Sequence, residues 1–79
     1  EGHSLAALAA LIQGGGELEF SLDGRAYFLS RHGSARDVSL WEGRRESAYD
    51  DIWQLLSQAR LGAEPLADCW DRVTFDTLF

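Results

Sequence analysis

The sequence predicts a two-layer α+β fold, in which an N-terminal helix and two C-terminal helices cover a three-stranded antiparallel meander. Three observations lead to this prediction. Residues 17–30 alternate like a β-hairpin, two later segments have helical spacing, and 79 residues with 46% hydrophobic content suffice for one small core. We therefore expect residues 1–79 to form a single domain.

The first predicted element is a helix that begins after Ser4. A serine hydroxyl is a favourable N-cap, and the alanine- and leucine-rich residues 5–12 that follow are strong helix formers. The three glycines at 14–16 should end the helix, because a glycine readily adopts the left-handed conformation of a C-cap.

The hairpin is predicted from apolar residues at every second position of Leu18–Leu22, which is the period of a half-buried strand. Asp23-Gly24 favours a type I′ turn, since that turn needs positive φ at both central residues. Pairing across this turn gives a specific register, in which Leu18 pairs with Leu29, Glu19 with Phe28, Phe20 with Tyr27 and Ser21 with Ala26.

The third strand is expected at residues 38–41, which alternate and are followed by Gly43. It should lie beside the hairpin, because consecutive strands are usually neighbours in a sheet.

Two helices and a short tail complete the prediction. Ser47 is expected to cap the second helix, whose inward residues at i, i+3, i+4 and i+7 are Tyr49, Ile52, Trp53 and Leu56. Pro65 suits the first turn of a third helix. The helical spacing of the apolar residues that follow directs inward the side chains of Leu66, Cys69, Trp70 and Val73. Residues 73–75 favour a short final strand.

Charge limits the classes of partner. Thirteen acidic residues stand against seven arginines, which gives a net charge of −6. Such a chain is repelled by nucleic acid and anionic membranes and attracted to basic surfaces. We therefore expect a basic protein surface as partner, with no direct nucleic-acid or membrane binding. Residues 25–45 reverse the balance, with five arginines and two acids; we expect these arginines to pair with acids of this chain or of a partner.

Cysteine content and hydropathy predict the compartment. Cys69 is the single cysteine, which excludes an internal disulfide and indicates a reducing environment. The longest apolar run, residues 5–12, is far shorter than the roughly 20 residues of a membrane-spanning helix. We expect a cytoplasmic protein, either monomeric or weakly homodimeric.

Catalytic and metal-binding chemistry is not expected. His3, His32 and Cys69 lack metal-ligand spacing, and Cys69 on the inward side of a helix is more typical of a core residue than of a nucleophile. Neighbouring carboxylates, as at Asp50 and Asp51, are typical of a solvated helix face. The sequence thus predicts no catalytic residue, no metal and no cofactor.

Surface chemistry remains as the predicted basis of function. Carboxylates on short, rigid elements can imitate nucleic-acid phosphates or complement a basic patch, and exposed aromatic side chains can anchor a partner. The predicted partner-binding residues are Glu17, Glu19, Phe28, Trp41, Glu46, Asp50, Asp51, Asp68 and Asp71.

A resemblance gives this prediction a more concrete form. Being small, acidic and without catalytic motifs, the chain resembles inhibitor proteins of phages and mobile elements, of the anti-CRISPR or toxin-immunity type. The segments ELEFSLDGRAYFLS, DDIWQLL and ADCWDRV also resemble short bacterial proteins with an E-x-E-F-x-x-x-G-x-x-Y hairpin. The anti-CRISPR resemblance implies a partner such as an RNA-guided nuclease or surveillance complex, whose DNA-binding surface the acids would block. The alternatives are an immunity protein that binds a toxin and a small regulatory or adaptor domain that binds a basic protein.

Overall fold

The computed structural model describes residues 4–31 and 37–78, which form an α+β fold with one five-stranded antiparallel sheet and three α-helices. The α+β class is therefore confirmed. In chain order the elements are α1 (Leu5–Gln13), β1 (Leu18–Leu22), β2 (Arg25–Arg31), β3 (Val38–Glu42), β4 (Arg45–Tyr49), α2 (Ile52–Gln58), β5 (Arg60–Leu61), β6 (Glu64–Pro65), α3 (Leu66–Cys69), a 3₁₀ turn (Trp70–Arg72) and β7 (Thr74–Leu78).

Helix α1 forms where its sequence predicts. The hydroxyl of Ser4 accepts a hydrogen bond from the backbone N–H of Ala7 at 3.2 Å, which satisfies one of the otherwise unpaired donors of the first turn. Leu8 and Ile12 are buried on one side of the helix. After Gln13 the chain turns through Gly15, whose φ of 90° is open to glycine at little cost.

The hairpin of β1 and β2 has the predicted register. Phe20 pairs with Tyr27 and Glu19 with Phe28, as expected from the alternation. Asp23 and Gly24 have φ values of 52° and 81°, the positive values that a type I′ turn requires. The side chains of β1 therefore divide between a buried inner face and an outer face.

The predicted three-stranded meander was wrong, because the sheet has five strands in the order β4-β3-β2-β1-β7. Strand β4 follows β3 through a turn at Gly43, which has a φ of 62°. Its residues are mostly polar, and three of the five are exposed, so they lack the alternation that marks a half-buried strand. Strand β7 pairs with β1, which lies far from it in the sequence. Only its first residues were expected to be extended.

The second helix begins later than predicted. Residues up to Tyr49 belong to β4, so the N-cap is Asp51 rather than Ser47. The later start changes which residues face the core. Ile52 and Leu55 are buried, whereas Trp53, predicted to point inward, is 55% exposed.

The helices and the inner face of the sheet share one hydrophobic core. The four residues predicted to point inward from α3 and the segment after it are buried as expected, namely Leu66, Cys69, Trp70 and Val73. The indole of Trp70 meets the ring of Phe20 edge to face, with 5.0 Å between ring centroids, and Phe20 stacks on Tyr27 at 5.3 Å. Within the described ranges, no helix has the length and apolar character that a bilayer crossing requires.

Candidate partner-binding surface

Four of the predicted partner-binding residues form a continuous row across the outer face of the sheet. Glu19 on β1 pairs with Phe28 on β2, Phe28 pairs with Trp41 on β3, and Trp41 pairs with Glu46 on β4. Side chains at directly paired positions point to the same face and lie close together. The row therefore has two aromatic rings at its centre and one carboxylate at each end.

The outer face is partly open to solvent around this row. Glu19 and Glu46 are exposed, whereas Phe28 and Trp41 are half-buried, and the exposed neighbours include Ala26. Small side chains beside the aromatic pair leave a shallow depression of about 250 Å³. It is lined by Glu19, Ala26, Tyr27, Phe28, Trp41, Gly43 and Asp76.

Asp76 adds a carboxylate that was not predicted for this surface. The pairing of β1 with β7 shifts by one residue, since Glu19 pairs with Thr77 and Phe20 with Phe75. Asp76 is the extra residue of this bulge, and bulges redirect side chains. A bulge depends on pairing with a distant strand, so no signal in the local sequence reveals it.

The carboxylate of Glu46 is held by the strand beside it. Ser39 on β3 is completely buried, although it belongs to the outer face, and its hydroxyl donates a hydrogen bond to the Glu46 carboxylate. A charge-assisted bond of this kind orients the acceptor. One end of the row therefore has a positioned carboxylate.

Several of the predicted acids form no ion pair with the arginines that the structure describes. In the described part of the chain, ion pairs join Arg25 to Glu42 at 3.6 Å and Arg72 to Glu64 at 2.6 Å. Neither pair uses a predicted partner-binding residue. Within these same ranges, no ion pair involves Glu17, Glu19, Asp68, Asp71 or Asp76.

At the start of α2 the two predicted acids have different roles. Asp51 is the N-cap, and its Oδ1 accepts a hydrogen bond from the N–H of Gln54 at 2.9 Å. Asp50 is exposed, and its backbone N–H donates to Oε1 of Gln54 at 2.7 Å. This arrangement resembles a capping box, except that Gln54 accepts from the N–H before the N-cap residue, and it gives the Asp51 carboxylate a structural role. The exposed Trp53 next to it was not predicted as a surface residue.

The remaining predicted residues do not join the outer-face row. Asp68 and Asp71 are exposed on α3 and the 3₁₀ turn, which bury their other side against the core. They therefore lie on the helical side of the molecule. Glu17 precedes β1 and is half-buried. The nine predicted residues thus belong to several surfaces, of which the outer face collects four.

Cys69 has the environment of a core residue. It is completely buried, and its thiol contacts the carbonyl oxygen of Pro65 at 3.4 Å. Burial, with a smaller effect from Glu64, raises the pKa of the thiol and disfavours the reactive thiolate. His3 and His32 lie outside the described residues. Among those that are described, no cluster of His, Cys, Asp and Glu is arranged to hold a metal ion.

No protein family, curated protein or solved structure matches this chain. The resemblance to inhibitor proteins therefore stays a prediction from the sequence.

Proposed function

We propose that this protein is a non-catalytic binding module whose outer sheet face docks on a basic surface of another protein. One observation carries this proposal: the row formed by Glu19, Phe28, Trp41 and Glu46 on the outer face of the sheet. It joins an apolar anchor to flanking negative charge on a rigid support.

The composition of the row suits protein recognition. Aromatic side chains dominate the binding energy of many interfaces, and charges at the rim speed up association and select the partner. The net charge of −6 adds a field that attracts basic surfaces. Glu19 and Glu46 lie three strand spacings apart, about 14 Å at the usual separation of β-strands. The partner's basic groups are therefore expected to flank a central apolar patch.

The size of the sheet limits what the outer face can do alone. Four strands of five residues and the seven residues of β2 give this sheet a face of about 400 Å². A stable complex usually buries about 800 Å² on each partner. The interface must therefore extend beyond the row. The edge strand β4, whose outer-face residues Glu46 and Ala48 are both exposed, extends this surface beside the row.

The most concrete form of the proposal is an inhibitor that occupies a nucleic-acid-binding surface. Such surfaces are basic because they bind phosphates, and they also present aromatic or apolar groups to bases. A carboxylate–aromatic–carboxylate row complements both features. A nucleic-acid channel of an RNA-guided nuclease or surveillance complex is the partner that the resemblance favours.

A capture experiment with charge-reversed variants tests the proposal. The outer-face variant is Glu19→Arg, alone and combined with Glu46→Arg, and the matched control is Asp68→Arg with Asp71→Arg on the helical side. Each immobilised protein is exposed to a nuclease-treated lysate of the native host. We expect a basic protein to be retained by the wild type and by the control but not by the outer-face variants, and to be released as salt rises.

A binding assay with the purified partner then tests whether the captured protein is a functional target. We expect the wild-type protein to weaken the partner's binding to nucleic acid, and the Glu19→Arg variant to do so much less. Circular dichroism must show that all variants are folded. Equal retention by the outer-face variants and the wild type would contradict the proposal, as would loss of binding in the control alone.

A further inference from the structure

Three of the seven arginines surround one hollow on the inner side of the sheet, away from the outer-face row. Its volume is about 250 Å³, and its basic groups belong to Arg25, Arg45 and Arg60. The remaining lining residues are Tyr27, Leu40, Glu42, Ser47 and Gly62. Arginines distant in the sequence thus meet at one place in a chain that is acidic overall.

Strand register and a small ribbon build this hollow. Arg45 at the start of β4 pairs with Glu42 at the end of β3, and Arg25 is the first residue of β2. The β5–β6 ribbon brings Arg60 to the same end of the sheet. Gly62 in the turn of the ribbon lies close to the Arg25 guanidinium, since a Cβ at Gly62 would be 3.6 Å from Nη1 of Arg25.

The hollow has an excess of positive charge. Arg25 lies 3.6 Å from Glu42, and the Arg60 guanidinium donates to the carbonyl oxygen of Ala63 at 2.8 Å. Arg45 has no ion pair or hydrogen bond from its side chain within the described part of the chain. Three cations therefore face one carboxylate. Cations held around one space repel each other, and a bound anion would relieve this repulsion.

Two hydroxyl groups add hydrogen-bond donors. Tyr27 is 4% exposed, and its burial raises the pKa of the phenol, with Glu42 acting in the same direction. The phenol therefore keeps its proton at neutral pH and remains a donor. Ser47 lines the same hollow. Guanidinium and hydroxyl donors together are typical of oxyanion sites, since the planar guanidinium can bind two oxygens at once.

Size and charge select the ligand. The volume is below the roughly 300 Å³ at which pockets for whole drug-sized molecules begin, so it suits a small group. An excess of two positive charges matches a dianion better than a carboxylate. A long polyanion such as nucleic acid would be repelled by the rest of the chain, which has a net charge of −6. We propose that the hollow of Arg25, Arg45 and Arg60 binds the dianionic phosphate group of a small molecule.

Titration with phosphate compounds tests this site. Glycerol 2-phosphate and inorganic phosphate are added to ¹⁵N-labelled protein at constant ionic strength, and amide shifts are followed by NMR. We expect saturable shifts centred on Tyr27, Arg45 and Gly62. Arg45→Gln should weaken binding about tenfold, because a charge-assisted contact is lost. Arg44→Gln is the matched control, since Arg44 is exposed in the adjacent turn and does not line the hollow.

Four results would overturn the proposal. Shifts that fail to saturate, or an equal loss of affinity in Arg44→Gln and Arg45→Gln, would show a general charge effect. Acetate that binds as tightly as phosphate would show that a dianion is not preferred. A single-stranded oligonucleotide that binds more tightly than glycerol 2-phosphate would identify nucleic acid as the source of the phosphate. None of these results depends on the outer-face row, so this proposal and the proposed function can fail separately.

Discussion

Phe28 and Trp41 lie directly opposite each other on β2 and β3, on the outer face of the sheet. Both side chains are half-buried, although the helices contribute their buried residues to the core on the inner face. Aromatic side chains at directly paired positions can stabilise the pairing of two strands, and here part of each side chain stays exposed. The same pair can therefore support the sheet and present an apolar anchor to a partner.

Replacing Trp41 should weaken partner binding more than replacing Trp53. Trp41→Ala is expected to weaken binding by about 2 kcal/mol, roughly thirtyfold in Kd, because a central aromatic anchor is removed. Trp53→Ala is the matched control, since it removes the same side chain from α2, and its effect should be smaller. Calorimetric titration with the captured partner provides the measurement. A larger loss in Trp53→Ala would move the centre of the interface to α2.

Replacing Trp70 should lower the unfolding free energy much more than replacing Trp53. Trp70 is 2% exposed in the core, whereas Trp53 is 55% exposed. Trp70→Ala is expected to cost about 3–5 kcal/mol of unfolding free energy, which is a large fraction of the stability of a small domain. Trp53→Ala should change it by less than about 1 kcal/mol. Urea denaturation followed by circular dichroism measures both values. A Trp53→Ala protein as unstable as Trp70→Ala would contradict the described orientation of α2.

The capping role of Asp51 predicts unequal effects for two neighbouring acids. Asp51→Ala removes the acceptor for the Gln54 N–H and should cost about 1 kcal/mol of unfolding free energy. Asp50→Ala makes the same change in charge one residue earlier and keeps the Asp50 N–H bond to Gln54, so it should cost less. Denaturation midpoints of the two variants, compared with the wild type, provide the check. Equal costs would show that net charge, not capping, is responsible.

Stability should fall at alkaline pH. Burial raises the pKa of the Cys69 thiol and of the Tyr27 phenol, so the folded chain holds both protons more tightly than the unfolded chain. This contribution is complete below the unfolded pKa values, about 8.5 for the thiol and about 10 for the phenol, and is lost as pH rises through the folded values. Unfolding free energies measured from pH 7 to 11 should therefore decline, first through Cys69.

A variant isolates the contribution of the thiol to this decline. Cys69→Ala lacks a titrating group at this position, so its stability should fall less between pH 8.5 and pH 10 than that of the wild type, whatever its stability at neutral pH. A thiol reagent should label the native wild type slowly and the urea-unfolded chain rapidly. Rapid labelling of the native protein at neutral pH would contradict the burial of Cys69.

Local sequence determined the elements whose signals lie within a few residues. The cap at Ser4 and the turn at Asp23-Gly24 depend on neighbouring backbone groups, so both were predictable. Once the turn was fixed, the two-residue period of a strand fixed the register that places Glu19 opposite Phe28. The inward positions of Cys69 and Trp70 followed from helical spacing.

The partners of the sheet edges were decided by the tertiary structure. Strand β4 pairs through its backbone and has mostly polar side chains, so its sequence lacks the alternating pattern of a half-buried strand. Because β4 extends to Tyr49, α2 starts later than predicted, and Trp53 is exposed. Strand β7 pairs with β1 although residues 23–73 separate them, and the bulge at Asp76 exists only through that pairing. The same holds for the meeting of Arg25, Arg45 and Arg60 around one hollow. Backbone hydrogen bonds between distant segments depend only weakly on which side chains those segments carry. The local sequence therefore determined which residues each helix or strand presents. Only the pairing of distant strands decided which of those residues share a surface.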